Sequence, residues 1–344
     1  MPQKSKIAIF WLDNLIWVIV ALFFLVNVFI TPYFFSVNNI INIFYHSAIM
    51  SMLVLAEGII LILGKMDLSL EGILVFAPGV TMIMATKLIP GGLNPGLCII
   101  LTLAMGGLLG LFNGYCVTKV GINPFLQTLS LNIMLRGFIL FLLPFSIHPL
   151  SEIYTFAGKA RLFDGLFPVA IPLVILIFAV FQFMMKYTTF GRKFMATGGN
   201  PRASFISGIN TDRIIIMGFI ISGILAAFAG LLAAGKQDSI SNAMGQNLLM
   251  VAFAGAILGG TSLDGGKGTI IGMFGGAILL AMITNSLNLL GVNVSLVYAT
   301  EGALIFLAIL LDRVKVRVKN NILQQNKMKE VLEHKKNMAV LPGE

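Results

Sequence analysis

Charge is scarce in this sequence. Asp, Glu, Lys and Arg make up 11% of its 344 residues, whereas a water-soluble globule carries about a quarter. With 58% hydrophobic residues and a mean hydropathy of +0.95, this shortage excludes a soluble domain and describes a polytopic membrane protein. Cysteine is nearly absent as well. Cys98 and Cys116 fall at the two ends of one apolar run, too far apart along a helix to bridge, so neither a disulfide framework nor a thiolate metal site is indicated. They read as packing residues. The three histidines, His46, His148 and His334, are scattered, with no H-E-x-x-H or comparable metal spacing, which argues against a membrane-embedded enzyme.

What is present is a series of long apolar runs. Taking roughly 20 apolar residues as one bilayer crossing, spans are expected near 14–30, 40–63, 71–86, 97–118, 124–145, 168–185, 214–234, 246–260, 269–290 and 295–311. The fold class is therefore all-α, a bundle of about ten helices. Lys4 and Lys6 before the first run imitate a signal peptide, but no small-residue cleavage site precedes Thr31 and Pro32, so the run reads as a retained span. With the N-terminus in the cytoplasm, the inner segments hold Lys4, Lys6, Lys65, Lys119, Lys186, Arg192, Lys193, Arg202, Arg213, Lys267 and the basic tail from Arg313 onward. Only Lys87, Lys159, Arg161 and Lys236 lie outside, and Arg136 falls within a span. This asymmetry satisfies the positive-inside rule with both termini cytoplasmic. It divides the chain into a cytoplasmic N-terminus (1–13), one transmembrane domain (14–311) with a cytoplasmic loop at 186–213, and a basic cytoplasmic tail (312–344).

Glycine is plentiful, at 36 residues. Small residues four apart let membrane helices approach closely where the hydrophobic effect gives no drive for their association. Gly106, Gly110 and Gly114 form one such row; Gly255 with Gly259, and Gly272 with Gly276, form others. Tight helix packing accounts for them fully.

The longest internal polar segment contains "ATGGNPRASFISGIN" (196–210). Asn200 is a good N-cap, Pro201 suits the first helical position, and Gly208 can take the left-handed conformation that ends a helix. The sequence thus predicts a helix of about two turns, Pro201 to Ser207. So short a helix is marginal in water on its own, and Phe205 and Ile206 offer apolar side chains for docking on a partner. On pattern alone, a docking peg and an ordinary loop helix on the bilayer surface both stay open. A second turn, "GGTSLDGGKG" (259–268), lacks the G-x-x-x-x-G-K-[ST] order of a phosphate loop. It offers no ATP site; its glycines suit a tight reversal with Asp264 and Lys267 at the water face.

Ionisable groups within spans face the bundle interior or a water-filled path, because exposing them to lipid is costly. Here they are Glu57, Arg136 and Glu301, and an ion pair of Glu57 with Arg136 is the plainest expectation. Asn113, Asn123, Gln127, Asn132, Asn285 and Asn288 could serve a hydroxyl-rich solute or simply bond neighbouring helices. Glu57, Asn123, Arg136, Asn285 and Asn288 form the candidate translocation path.

Several ordered stretches carry a family resemblance. "FGRKFMATGGNPRASFISGINTDR" (190–213), "SGILAAFAGLLAA" (222–234), "AGAILGGTSLDGGKGTIIG" (254–272) and "NSLNLLGV" (285–292) resemble the permease subunit of ribose-type ATP-binding cassette importers, a branch of the branched-chain amino acid/ribose permease superfamily. In the first half, "MDLSLEG" (66–72) is similar to the family's Gly-Ile-Asp-Leu-Ser-Val-Gly turn, and "VGINPFLQTLSLNIMLRGF" (120–138) to its Asn-Pro-Phe helix start with a following arginine. Coverage runs from about residue 40 to Asp312. The resemblance implies a transport subunit, not an enzyme, of a bacterial cytoplasmic (inner) membrane importer for a ribose-like monosaccharide. It implies as partners a separate ATPase that binds ATP and Mg, a second permease copy or paralogue, and an extracytoplasmic binding protein; no cofactor in this chain and no nucleic acid partner are expected. Asn200, Pro201, Arg202, Ala203, Phe205, Ser207 and Gly208 would form the coupling helix that the ATPase moves, with Gly260, Thr261, Ser262, Gly265 and Gly266 of the second turn close by. The sequence departs from the family pattern at Lys65 and Met66, at Glu71, where glycine is common, and at Glu301, where a basic residue is usual. Those departures bear on the solute, so an autoinducer sugar, a nucleoside or a branched-chain amino acid stays open. An ion-coupled secondary transporter is the rival class: it shares such a bundle but needs no docking helix.

Overall fold

The computed structural model describes Trp11 and residues 14–89, 91–163 and 165–339; the cytoplasmic segment expected at 1–13 lies, but for Trp11, outside them. The helices in chain order are α1 (Leu15–Ile30), α2 (Val37–Ile62), α3 (Leu70–Ile83), α4 (Pro95–Tyr115), α5 (Pro124–Leu142), α6 (Glu152–Lys159), α7 (Ala170–Tyr187), α8 (Thr189–Gly199), α9 (Pro201–Ile206), α10 (Thr211–Gln237), α11 (Leu248–Leu258), α12 (Ile270–Leu289) and α13 (Val294–Ala339). A π turn extends α3 through Met84–Leu88 and another extends α4 through Cys116–Val120. The strands described are a two-residue antiparallel pair, β1 (Arg161–Leu162) and β2 (Phe167–Pro168). The all-α expectation therefore holds. Among the described residues eight helices are long and apolar enough to cross a membrane, and α1 and α11 are shorter apolar helices.

The centre of the bundle is α2, whose residues from Ser51 to Ile62 are all buried, packed by α10, α11 and α12. The glycine rows lie where the helices touch. A Cβ on Gly106 or Gly110 would come within 2.4 or 2.1 Å of a carbonyl oxygen of α10, and one on Gly276 within 2.0 Å of the Gly255 oxygen. No side chain can occupy those positions at the present helix separation.

Two spans depart from expectation. The crossing placed at 246–260 is a helix of only 11 residues, about 16 Å long, or half of a ~30 Å hydrocarbon core. Asp238, Gly245 and Asn247 all have positive φ, so the chain leading into α11 is irregular and the helix starts inside the bundle. Likewise the 67–70 segment is not a surface turn: Asp67, Leu68, Ser69 and Leu70 are each at most 1% exposed. The last span, expected to stop at 311, continues as one helix through Ala339. Between Gly302 and Pro342 the sequence has neither glycine nor proline to end it.

Contacts sort the loops onto two faces. One gathers the chain after α2, the start of α10 and the turn after α11: Gly64 packs on Gly198 and Gly265, and Lys119 pairs with Asp212 at 2.7 Å. At the other, Ile147 bridges Ile240 and Lys159 pairs with Asp238 at 2.7 Å, the lysine holding the Asp238 carboxyl below its usual range.

Candidate functional site

The segment 186–213 is more ordered than a loop. Thr188 caps α8 through Gly191 N–H, and after Gly199 the chain turns at Asn200 into α9. The Asn200 side chain accepts the Ala203 N–H at 2.9 Å, Pro201 takes the first helical position, and Gly208 has φ +82°. The helix predicted for Pro201 to Ser207 spans Pro201–Ile206, with Ser207 as its C-cap. Its orientation is informative. Within α9 only Ser204 is buried; Arg202 and Ala203 are exposed, and Phe205 and Ile206 present 69% and 79% of their surface. Two adjacent apolar side chains on a six-residue helix thus face outward, at the sequence-assigned position.

The second turn lies against the base of this segment. Gly266 N–H donates to the Ile62 carbonyl at 2.7 Å, and Ser262 N–H to the Lys267 carbonyl at 3.0 Å. A Cβ on Gly265 would sit 2.6 Å from the Gly198 oxygen, and one on Gly266 would sit 2.4 Å from the Gly199 Cα. Both glycines also have positive φ, so conformation and space demand them equally. Thr261 and Ser262 are buried and Gly260 takes φ +88°, while Asp264 and Lys267 are exposed as expected. Burial beside this turn lowers the Lys65 ammonium from its ordinary value. The structure therefore brings the predicted docking helix and the second turn to one face through glycine backbone contacts.

The interior residues sort differently from expectation. Arg136 does not pair with Glu57. Its guanidinium donates to Glu71 and, at 3.1 Å, to the Asn242 carbonyl, and the other Glu71 oxygen accepts the Leu249 N–H at the start of α11 at 3.3 Å. The physical reason is placement: Glu71 opens α3 beside α5 and the first turn of α11, where an anion also meets the positive end of a half-length helix. Glu57 is fully buried in α2, and neither carboxyl oxygen has a hydrogen-bond partner among the described residues. Asp67 is the charged group bearing on it. Asp67 itself accepts from Ser69 N–H and hydroxyl and from the Ser222 hydroxyl of α10. Asn113 donates to Ser69 at 2.9 Å and accepts from Gln127 at 3.3 Å. This chain of polar groups joins α3, α4, α5 and α10. Asn123 caps α5 by accepting Phe125 N–H at 2.9 Å, and Asn285 exchanges two hydrogen bonds with Asn39, at 3.1 and 3.0 Å. With Asn288 and Glu301, Asn285 also lines a cavity between α2, the end of α10, α11, α12 and α13. Of the candidate path residues, Asn285 and Asn288 share this cavity, while Glu57, Asn123 and Arg136 lie elsewhere.

Comparison with known proteins decides the family. The family model "Branched-chain amino acid transport system / permease component" matches residues 39–309. The chain belongs to this family. As a permease component it is a transport protein, and the multi-pass bundle fits that class. It is similar to the ribose import permease protein RbsC of Bacillus subtilis (strain 168), 33% identical over 289 residues, covering 83% of this chain and 88% of that one. It is similar too to the ribose import permease protein RbsC of Escherichia coli (strain K12), 31% identical over 331 residues, 92% of this chain and 94% of the other. The galactose/methyl galactoside import permease protein MglC of the same strain is 30% identical over 327 residues, 91% and 97% of the two chains. No solved structure matches the permease. The residues that sequence reasoning missed are Ser69, Ser222, Asn39, His46 and Lys236: each is ordinary in its local sequence, and only the packing of distant helices reveals its partner.

Proposed function

We propose that this permease is the membrane-spanning subunit of an ATP-binding cassette importer that carries a monosaccharide across a bacterial cytoplasmic membrane. Near full-length similarity to import permeases named for ribose and galactose supports the solute class. The observation that carries the ATP-driven reading is α9: a doubly capped helix with Phe205 and Ile206 turned outward at one face of the bundle. Such a surface suits a separate motor protein, and Asn200, Pro201, Arg202, Ala203, Phe205, Ser207 and Gly208 are its contact residues, with the second turn beneath them. The face bearing Lys65, Lys119, Arg192, Lys193, Arg202, Arg213 and Lys267 is cytoplasmic by the positive-inside rule, with ten crossings and both termini on that side. A second permease completes the pathway, and an extracytoplasmic binding protein delivers the sugar. ATP closure of the motor moves α9 and shifts the bundle between outward-open and inward-open states, because each nucleotide condition favours one of them.

Uptake of radiolabelled monosaccharide into vesicles carrying the whole assembly tests this. Transport is expected to stop with vanadate and to continue with a protonophore. The reverse pattern would identify an ion-coupled carrier.

A further inference from the structure

Between α2, the end of α10 and helices α11, α12 and α13 lies a cavity of about 240 Å³, the volume of roughly eight waters at ~30 Å³ each. Its lining combines apolar residues, among them Ile49, Val251 and Leu280, with the polar groups His46, Lys236, Thr284, Asn285, Asn288 and Glu301. In a membrane bundle so many ionisable groups around one space mark a water-filled site. Their hydrogen-bonding capacity is largely unspent. The Lys236 ammonium sits 2.6 Å from His46 Nδ1, and since an ammonium can only donate, Nδ1 accepts and the imidazole proton resides on Nε2. His46 thus keeps a free donor, and Lys236, whose ammonium also lies 4.9 Å from the Tyr45 ring centroid, has hydrogen-bond donors beyond the one given to His46. Glu301 receives only a long contact from Thr284, 3.5 Å, and the Asn288 amide has no side-chain partner among the described residues, offering donors and an acceptor. No ion pair joins Lys236 to Glu301 among the described residues.

We propose that this cavity is a monosaccharide subsite within the single permease chain, with His46, Lys236, Thr284, Asn288 and Glu301 as its polar contacts. The proposal rests on the import reading above and adds the place and the chemistry. A sugar hydroxyl both donates and accepts, and the lining offers donors (His46 Nε2, Lys236) and acceptors (Glu301, Asn288 Oδ1) together. One cationic and one anionic group leave no preference for a solute of either net charge. The apolar lining residues suit the C–H face of a sugar ring, and the volume is large enough to admit one. The site lies toward the face carrying Asp238 and Lys159, which the import reading places outside, so it receives the sugar before any inward opening.

The test uses the complete assembly in proteoliposomes. Asn288→Cys is expected to react with a membrane-impermeant maleimide added outside, while native Cys98 and Cys116 are buried. At least one of ribose, allose, galactose or fructose, whichever is transported, slows that reaction severalfold; sucrose does not. Glu301→Gln is expected to lower uptake about tenfold, the effect of losing roughly one charge-assisted hydrogen bond, and Ala281→Trp, which fills the cavity from its α12 side, at least as much, with detergent-extracted yield at wild-type levels. Wild-type uptake in both variants, together with no protection of the introduced thiol at position 288 by a transported sugar, overturns the subsite and leaves the import reading intact. A wild-type assembly that takes up none of the four sugars overturns the import reading, and the subsite with it.

Discussion

Glu71 and Arg136 show how far one side chain's meaning depends on its neighbours. Each is a conspicuous charge in an apolar run, and together, 14% and 18% exposed, they tie α3 to α5 and to the first turn of α11. Removing one member strands the other, and a broken buried pair costs about 3–5 kcal/mol. Arg136→Ala is therefore expected to lower stability by about 3 kcal/mol, the lower end because both groups keep some exposure, and Glu71→Gln by less. The double change Glu71→Leu with Arg136→Met is expected to recover most of that loss, since apolar replacements of a whole pair are often neutral. Glu57 supplies the contrast. With no partner for either oxygen among the described residues, Glu57→Gln removes a carboxyl from a buried site without stranding any cation, so thermal unfolding in detergent should stay level or rise. Equal destabilisation by Glu57→Gln and Arg136→Ala would revive the pairing that sequence alone suggests.

Among the elements, helix packing was legible wherever glycine sets it. The four-residue spacing of Gly106, Gly110 and Gly114 appears in the sequence, and the α4–α10 contact is its direct consequence. Gly110→Val would drive a Cβ to 2.1 Å from the Phe219 oxygen. Backbone cannot swing aside as a side chain can, so the helices must separate, and folded yield is expected to fall sharply, beyond the ~1–3 kcal/mol of ordinary overpacking. Gly137→Ala, with nothing within 4 Å, should be neutral or slightly stabilising by helix propensity. The caps of α9 were legible for the same local reason: Asn200, Pro201 and Gly208 act within one or two turns of themselves. The half-length of α11 was not, because the hydropathy of 246–260 is that of a span and only left-handed Asn247 and Gly245 break it. Nor could the burial of Asp67 be read, since its hydroxyl partner Ser222 lies 155 residues away. At α9 itself, Phe205→Asp and Gly208→Pro are expected to abolish ATP-driven uptake while the permease remains in the membrane. Unchanged uptake in both would remove α9 from the coupling role.

For the molecule as a whole, the two faces constrain the number of crossings more firmly than hydropathy does. The 259–268 turn packs through Gly265 and Gly266 on Gly198 and Gly199, which precede α9. Between them the chain leaves along α10, 27 residues and about 40 Å, and reaches the opposite face at Asp238, where Lys159 holds it. It must therefore return before Gly259. The irregular stretch from 238 to 247 and the short α11 share that return, so on the ten-crossing reading an 11-residue helix contributes to one full crossing. Sidedness labelling should reflect this. Cysteines placed at exposed Ser207 and exposed Lys267 are expected to react with an impermeant maleimide only after the membrane is opened, and together, whereas a cysteine at exposed Gly91 should react from outside in intact cells. If α11 did not complete a crossing, position 267 would label from outside while 207 stayed protected. That split would break the contact between the second turn and the end of α8 that leads into α9, and with it the mechanical link by which a motor proposed to act at α9 could also move α11 and α12.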